Sequence, residues 1–170
     1  MTAPTGRRRW KRVSTKAITV PGNLRLACDE FNSGRFFECH ETLEEIWQEE
    51  RGGVRDLYKG LIQVAAAFVH VSRGNHKGAK RLLRTALGYL GPYRESGAMG
   101  FELADFCARV EEVLDFLDKT GTAPTDMPPA RVVPSLHWNE SQVMAEAVRW
   151  RAWGFDQDGN ALWMEITTVE

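Results

Sequence analysis

The stretch Phe31-Asn32-Ser33-Gly34-Arg35-Phe36-Phe37-Glu38-Cys39-His40-Glu41-Thr42-Leu43-Glu44-Glu45-Ile46-Trp47 decides how this chain is read. Asn32-Ser33-Gly34 is a glycine stop that closes one helix. Beyond it Phe36, His40, Leu43 and Trp47 fall at i, i+4, i+7 and i+11, one stripe on a helix running from Arg35 to Glu50. Upstream, Pro21-Gly22-Asn23 is a turn suited to opening a helix, and Leu24, Ala27, Cys28 and Phe31 keep helical spacing up to the stop. Downstream, Arg51-Gly52-Gly53 ends the second helix.

Three more helices follow from the same logic. Val54 to Arg73 is apolar on nearly every face, so it belongs in the middle of a bundle. Gly74-Asn75 breaks it. Lys77 to Tyr89 is amphipathic through Ala79, Leu83 and Ala86, and Gly91-Pro92 stops it. A loop to Gly100 leads into Phe101 to Lys119, where Leu103, Phe106, Val110 and Leu117 face inward. The expectation is an all-α fold, a compact bundle of about five helices over residues 21–119.

Residues 1–20 form a polar, basic arm without periodicity, expected to be flexible. Residues 120–170 change character. Pro124, Pro128, Pro129 and Pro134 exclude a continuous helix there and mark a linker. The C-terminal extension has a short helical pattern near Ser141 to Ala147. Beyond it, two Trp-bearing segments flank Asp156-Gln157-Asp158-Gly159-Asn160, which reads as a small β-hairpin.

Charge is unevenly placed. The whole chain has 22 basic and 23 acidic residues, yet residues 1–16 hold six bases and no acid, which leaves the rest at −7. An acidic body is not a general nucleic-acid binder, so phosphate contact, if any, falls to the arm around Arg7, Arg8, Arg9, Trp10, Lys11 and Arg12. No apolar run approaches the roughly 20 residues that span a bilayer. The arginine pair near the N-terminus lacks the apolar stretch of an export signal. Cys28, Cys39 and Cys107 have no CxxC spacing and are odd in number, which suits a reducing cytoplasm better than a disulfide framework. The expected location is therefore cytoplasmic, with no membrane partner; a homo-oligomer is compatible with the composition.

The chemistry-bearing residues gather on the second and third helices. His40 and Glu44 are one turn apart, and Glu41 lies one position round. On the third helix Gly60, Gln63, Ala67 and His70 share a stripe whose small members let another helix approach. If that neighbour is the second helix, His40 and Glu44 meet Gln63 and His70. Two readings stay open. In one, His40, Glu44 and His70 ligate a divalent metal, a fourth position holds water, and Glu41 is the general base of a hydrolase. In the other, the polar layer is structural or serves a non-catalytic binding or assembly module. Gln63 is a ligand-binding candidate, as are Arg55 and Tyr58 near an N-terminus suited to anions. A basic cluster, His76, Lys77, Lys80, Arg81 and Arg84, reads as a solvated helix face.

The quoted stretch, followed by Arg55-Asp56-Leu57-Tyr58-Lys59-Gly60-Leu61-Ile62-Gln63-Val64-Ala65-Ala66-Ala67 and then His70, Arg73, Gly74, Asn75 and Gly78, resembles a known family. It is similar to the bacterial and archaeal domain of unknown function 309, with its His-Glu-x-x-Glu helix and its Tyr-x-Gly-Leu-Ile-Gln helix. The resemblance covers residues 22–118. It implies a compact helical bundle and no particular activity.

Overall fold

A computed structural model describes residues 22–50, 54–120 and 127–143, together with the backbone of residues 154–155 and 161–162. The helices are α1 (Asn23–Asn32), α2 (Phe36–Glu49), α3 (Arg55–Ser72), α4 (His76–Leu90) and α5 (Ala104–Thr120). The all-α expectation holds, with two small antiparallel strand pairs added. β1 (Phe101–Glu102) pairs with β2 (His137–Trp138), and β3 (Gly154–Phe155) pairs with β4 (Ala161–Leu162). The second pair is the expected hairpin.

The turns that follow α1 and α3 are built alike. Gly34 and Gly74 have φ of 76° and 73°, left-handed values that glycine adopts without strain. After α1, Gly34 N–H donates to Phe31 O and Arg35 N–H to Glu30 O; after α3, Gly74 N–H donates to Val71 O and Asn75 N–H to His70 O. Each turn thereby satisfies carbonyls that a helix end leaves open and sends the chain back along the preceding helix.

α3 is the centre of the bundle, packed by α2 on one side and by α4 on the other. Its buried residues include Leu57, Leu61, Val64, Ala65 and Phe68, as its all-round apolarity demands. An aromatic cluster ties four helices together: Phe31 meets Phe36, Phe68 and Phe106 with ring centroids 5.1, 6.1 and 5.6 Å apart. Gly60 of α3 serves a different neighbour from the one expected. A Cβ on Gly60 would lie 2.6 Å from Leu90 Cγ and 3.3 Å from Tyr89 Cβ, so α4, not α2, makes the close approach.

The start of α5 also differs from expectation. Phe101 belongs to β1, because residues 136–143 return from the proline-rich segment and dock there. Leu136 and Val143 are buried in the core. Asn32 clamps the returning backbone: its Nδ2 donates to Leu136 O and its Oδ1 accepts from Leu136 N–H, both at 2.8 Å. Cys28 Sγ donates to the same carbonyl at 2.7 Å. Trp138 Nε1 donates to Met99 O, and Asn139 N–H to Gly100 O. Residues 140–143 are helical, in line with the short helix expected near there; residues 144–147 lie outside the described residues.

Candidate functional site

Which residues of α2 reach the core is set by its register. Cys39, Leu43 and Ile46 are buried, at i, i+4 and i+7. Phe36, His40, Glu44 and Trp47 form the adjacent stripe and are half-buried. His40 thus sits at the edge of the core and not within it. The matching half-buried stripe of α3 is Arg55, Lys59, Gln63, Ala66 and His70. Two contacts fix how these stripes face. Trp47 lies under the Arg55 guanidinium at 4.0 Å and the Lys59 ammonium at 4.7 Å. At the other end Phe36 stacks on Phe68 with centroids 5.0 Å apart. The helices are therefore antiparallel, and His40 is level with residues 63–66.

The seam between them is polar and incompletely satisfied. His40 Nε2 is 3.8 Å from Glu44 Oε2, an ion pair when the ring is protonated. Phe37, exposed, stacks over the His40 ring. His40 Nδ1 and Gln63 Oε1 are shielded from water and have no hydrogen-bond partner among the described residues. Such atoms are uncommon in native proteins, since a buried unpaired polar atom costs about 1–3 kcal/mol. Glu41 is exposed beside this seam.

His70 is engaged elsewhere. Asn75 Oδ1 accepts from Gly78 N–H, capping α4, which turns the amide Nδ2 toward His70 Nδ1 at 2.9 Å. An amide nitrogen only donates, so Nδ1 accepts and the ring proton resides on Nε2. His70 is thereby part of the α3–α4 turn, beyond the level of His40. Among the described residues no group of three His, Cys, Asp or Glu side chains could hold a metal ion. His40 and Glu44 lie together on α2 while His70 faces Asn75 at the α3–α4 turn, so the three are not brought into one such group, and Glu41 stands exposed beside the first two.

The other candidates separate similarly. Arg55 is half-buried over Trp47, where its Nε donates to Trp47 O at 3.4 Å. Tyr58, only three residues on, is fully buried and cannot join Arg55 at an anion on the surface. Burial, followed by the charge of Glu50, pushes its phenol well above the ordinary range. His76 is buried too, so it leaves the basic face of α4 to the lysines and arginines.

Sequence reasoning missed Glu30. It is 4% exposed on α1, and Thr42 Oγ1 donates to both of its carboxylate oxygens at 3.0 and 3.1 Å. Burial, with Glu30 adding to it, pushes the nearby Cys39 thiol up to about 12. The only prior signal was position: Glu30 adjoins Phe31 on the inward side of α1. A groove of about 630 Å³ lies elsewhere, between α5 and the turn Ala130–Val132. None of the residues proposed from sequence lines it.

Residues 24–82, which contain the whole seam, match the family model described as Domain of unknown function (DUF309). Over 63 residues the chain is 46% identical to "Uncharacterized protein YpuF" of Bacillus subtilis (strain 168), covering 36% of this chain and 36% of that protein. Over 88 residues it is 32% identical to an uncharacterized protein of Aquifex aeolicus (strain VF5), covering 49% of this chain and 25% of that one. The matched part of the chain thus spans between a quarter and about a third of the length of these relatives.

Proposed function

We propose, for a chain whose residues 24–82 match DUF309, that the α2–α3 seam binds a small polar molecule and that the protein is a non-catalytic binding module. The observation that carries this reading is the pair of shielded, unpartnered atoms, His40 Nδ1 and Gln63 Oε1. A ligand that donates to Gln63 Oε1 and pairs with His40 Nδ1 would remove both penalties at once. Trp47 with its two cations closes one end of the seam, and Phe37 over the His40 ring closes the other. A metal-dependent hydrolase built on His40, Glu44, His70 and Glu41 has less support, because His70 already serves the α3–α4 turn.

Thermal denaturation in the presence of a panel of small amides, carboxylates and phosphates tests this. Wild type is expected to gain several degrees with a subset of the panel. Gln63→Leu should lose that gain while folding normally. If no compound shifts wild type and Gln63→Leu is simply more stable, the seam only fixes the register of two helices. Metal content of the purified protein tests the hydrolase reading separately, and less than one equivalent is expected.

A further inference from the structure

α2 and α4 flank α3 from two sides and turn opposite charges outward. α2 exposes Glu38, Glu41, Glu45 and Glu49 and contains no Lys or Arg. α4 exposes Lys77, Arg81 and Arg84 and contains no Asp or Glu. Arg84 and Lys80 are occupied by Asp118 of α5. Lys77, Arg81, Glu45 and Glu49 enter no ion pair among the described residues. Within each stripe the two charges are one helical turn apart, about 6 Å along the axis, so the two stripes match in spacing. Like charges at i and i+4 repel, and an opposite stripe relieves that repulsion.

We propose that the Lys77–Arg81 stripe of one copy docks on the Glu45–Glu49 stripe of a second copy. The occupant is a second copy because the chain itself carries the complementary acidic stripe, Glu45 and Glu49, with the same one-turn spacing and unpaired among the described residues. Between copies the net charge of −1 leaves little long-range repulsion. The two stripes lie on different flanks of α3, so a single partner does not satisfy both. The contact is therefore heterologous and propagates head to tail. None of its four charged residues belongs to the seam, so it stands or falls apart from the binding proposal.

Sedimentation velocity of the full chain tests it. The weight-average mass should rise with protein concentration at about 20 mM salt and return to the monomer at about 500 mM, where charges are screened beyond a few ångströms. Glu45→Gln/Glu49→Gln and Lys77→Gln/Arg81→Gln should each weaken association about tenfold, since exposed pairs are individually weak. Both carry changes only at exposed positions, and circular dichroism checks that they fold. An equimolar mixture of the two variants should form a heterodimer and stop there, because each keeps one intact stripe. A wild-type monomer at low salt overturns the proposal. So does association left undiminished by either double substitution, or a mixture that gives no heterodimer.

Discussion

Gly60 shows how one residue reports which neighbour a helix has. In mid-helix a glycine costs about 1 kcal/mol relative to alanine, so its presence argues for a close contact. That much was legible from sequence; which helix makes the contact was not, because α3 is apolar on nearly every face. Leu90, fully buried, fills the space where a side chain would go. Gly60→Leu is expected to lower stability by about 1–3 kcal/mol through overpacking. A urea midpoint equal to wild type would show that α4 yields. Cys39 gives a second residue-scale expectation. Its thiol, 0% exposed, is pushed by burial from the ordinary 9.0 up to about 12. The native state then holds its proton where the unfolded state has lost it. This contribution to stability is intact below pH 9 and is lost as pH rises from there toward 12. Urea titrations across that range should show a falling midpoint, with a smaller fall in Cys39→Ala.

At the scale of elements, the helices were largely legible and their partners were not. Glycine stops and the 3.6 period placed all five helices to within a few residues, because both signals are local. The start of the fifth was misread. Phe101 and Leu103 fit a helical stripe, but Phe101 pairs with Trp138 in β1–β2, a contact that no local period encodes. The polar site was legible in part for the same reason. His40, Glu44 and Gln63 do lie on facing stripes, whereas His70 was captured by Asn75, whose capping role depends on a turn geometry that periodicity does not carry. Asn32 is the element-scale hinge of the fold, since its amide is the partner of both backbone groups of Leu136. Asn32→Ala should cost about 1–3 kcal/mol by leaving the Leu136 N–H unpaired, while Cys28 Sγ still donates to its carbonyl. Hydrogen exchange at the Leu136 amide should quicken well before the helices exchange. Unchanged protection there would mean that the strand pair alone holds the segment.

At the scale of the whole molecule, the six bases of residues 1–16 stand against a remainder of −7. The arm lacks apolar periodicity, so we expect its deletion to leave the melting temperature nearly unchanged at physiological salt. A marked loss would reveal that it contributes to the folded body. The clamp at Leu136 acts over a long range, because Asn32 and Leu136 are 104 residues apart in the chain. Synthesis at about 5–20 residues per second puts roughly 5–20 s between the two emerging from the ribosome. Helix–helix contacts among α1 to α4 need only local chain and form far sooner. Throughout that interval Cys28 lacks the carbonyl it later binds and the cover Leu136 later gives it. A chain not yet grown past Leu136 therefore shows a thiol that the folded protein hides, and the reactivity of Cys28 becomes a chemical mark of whether residues 136–143 have docked.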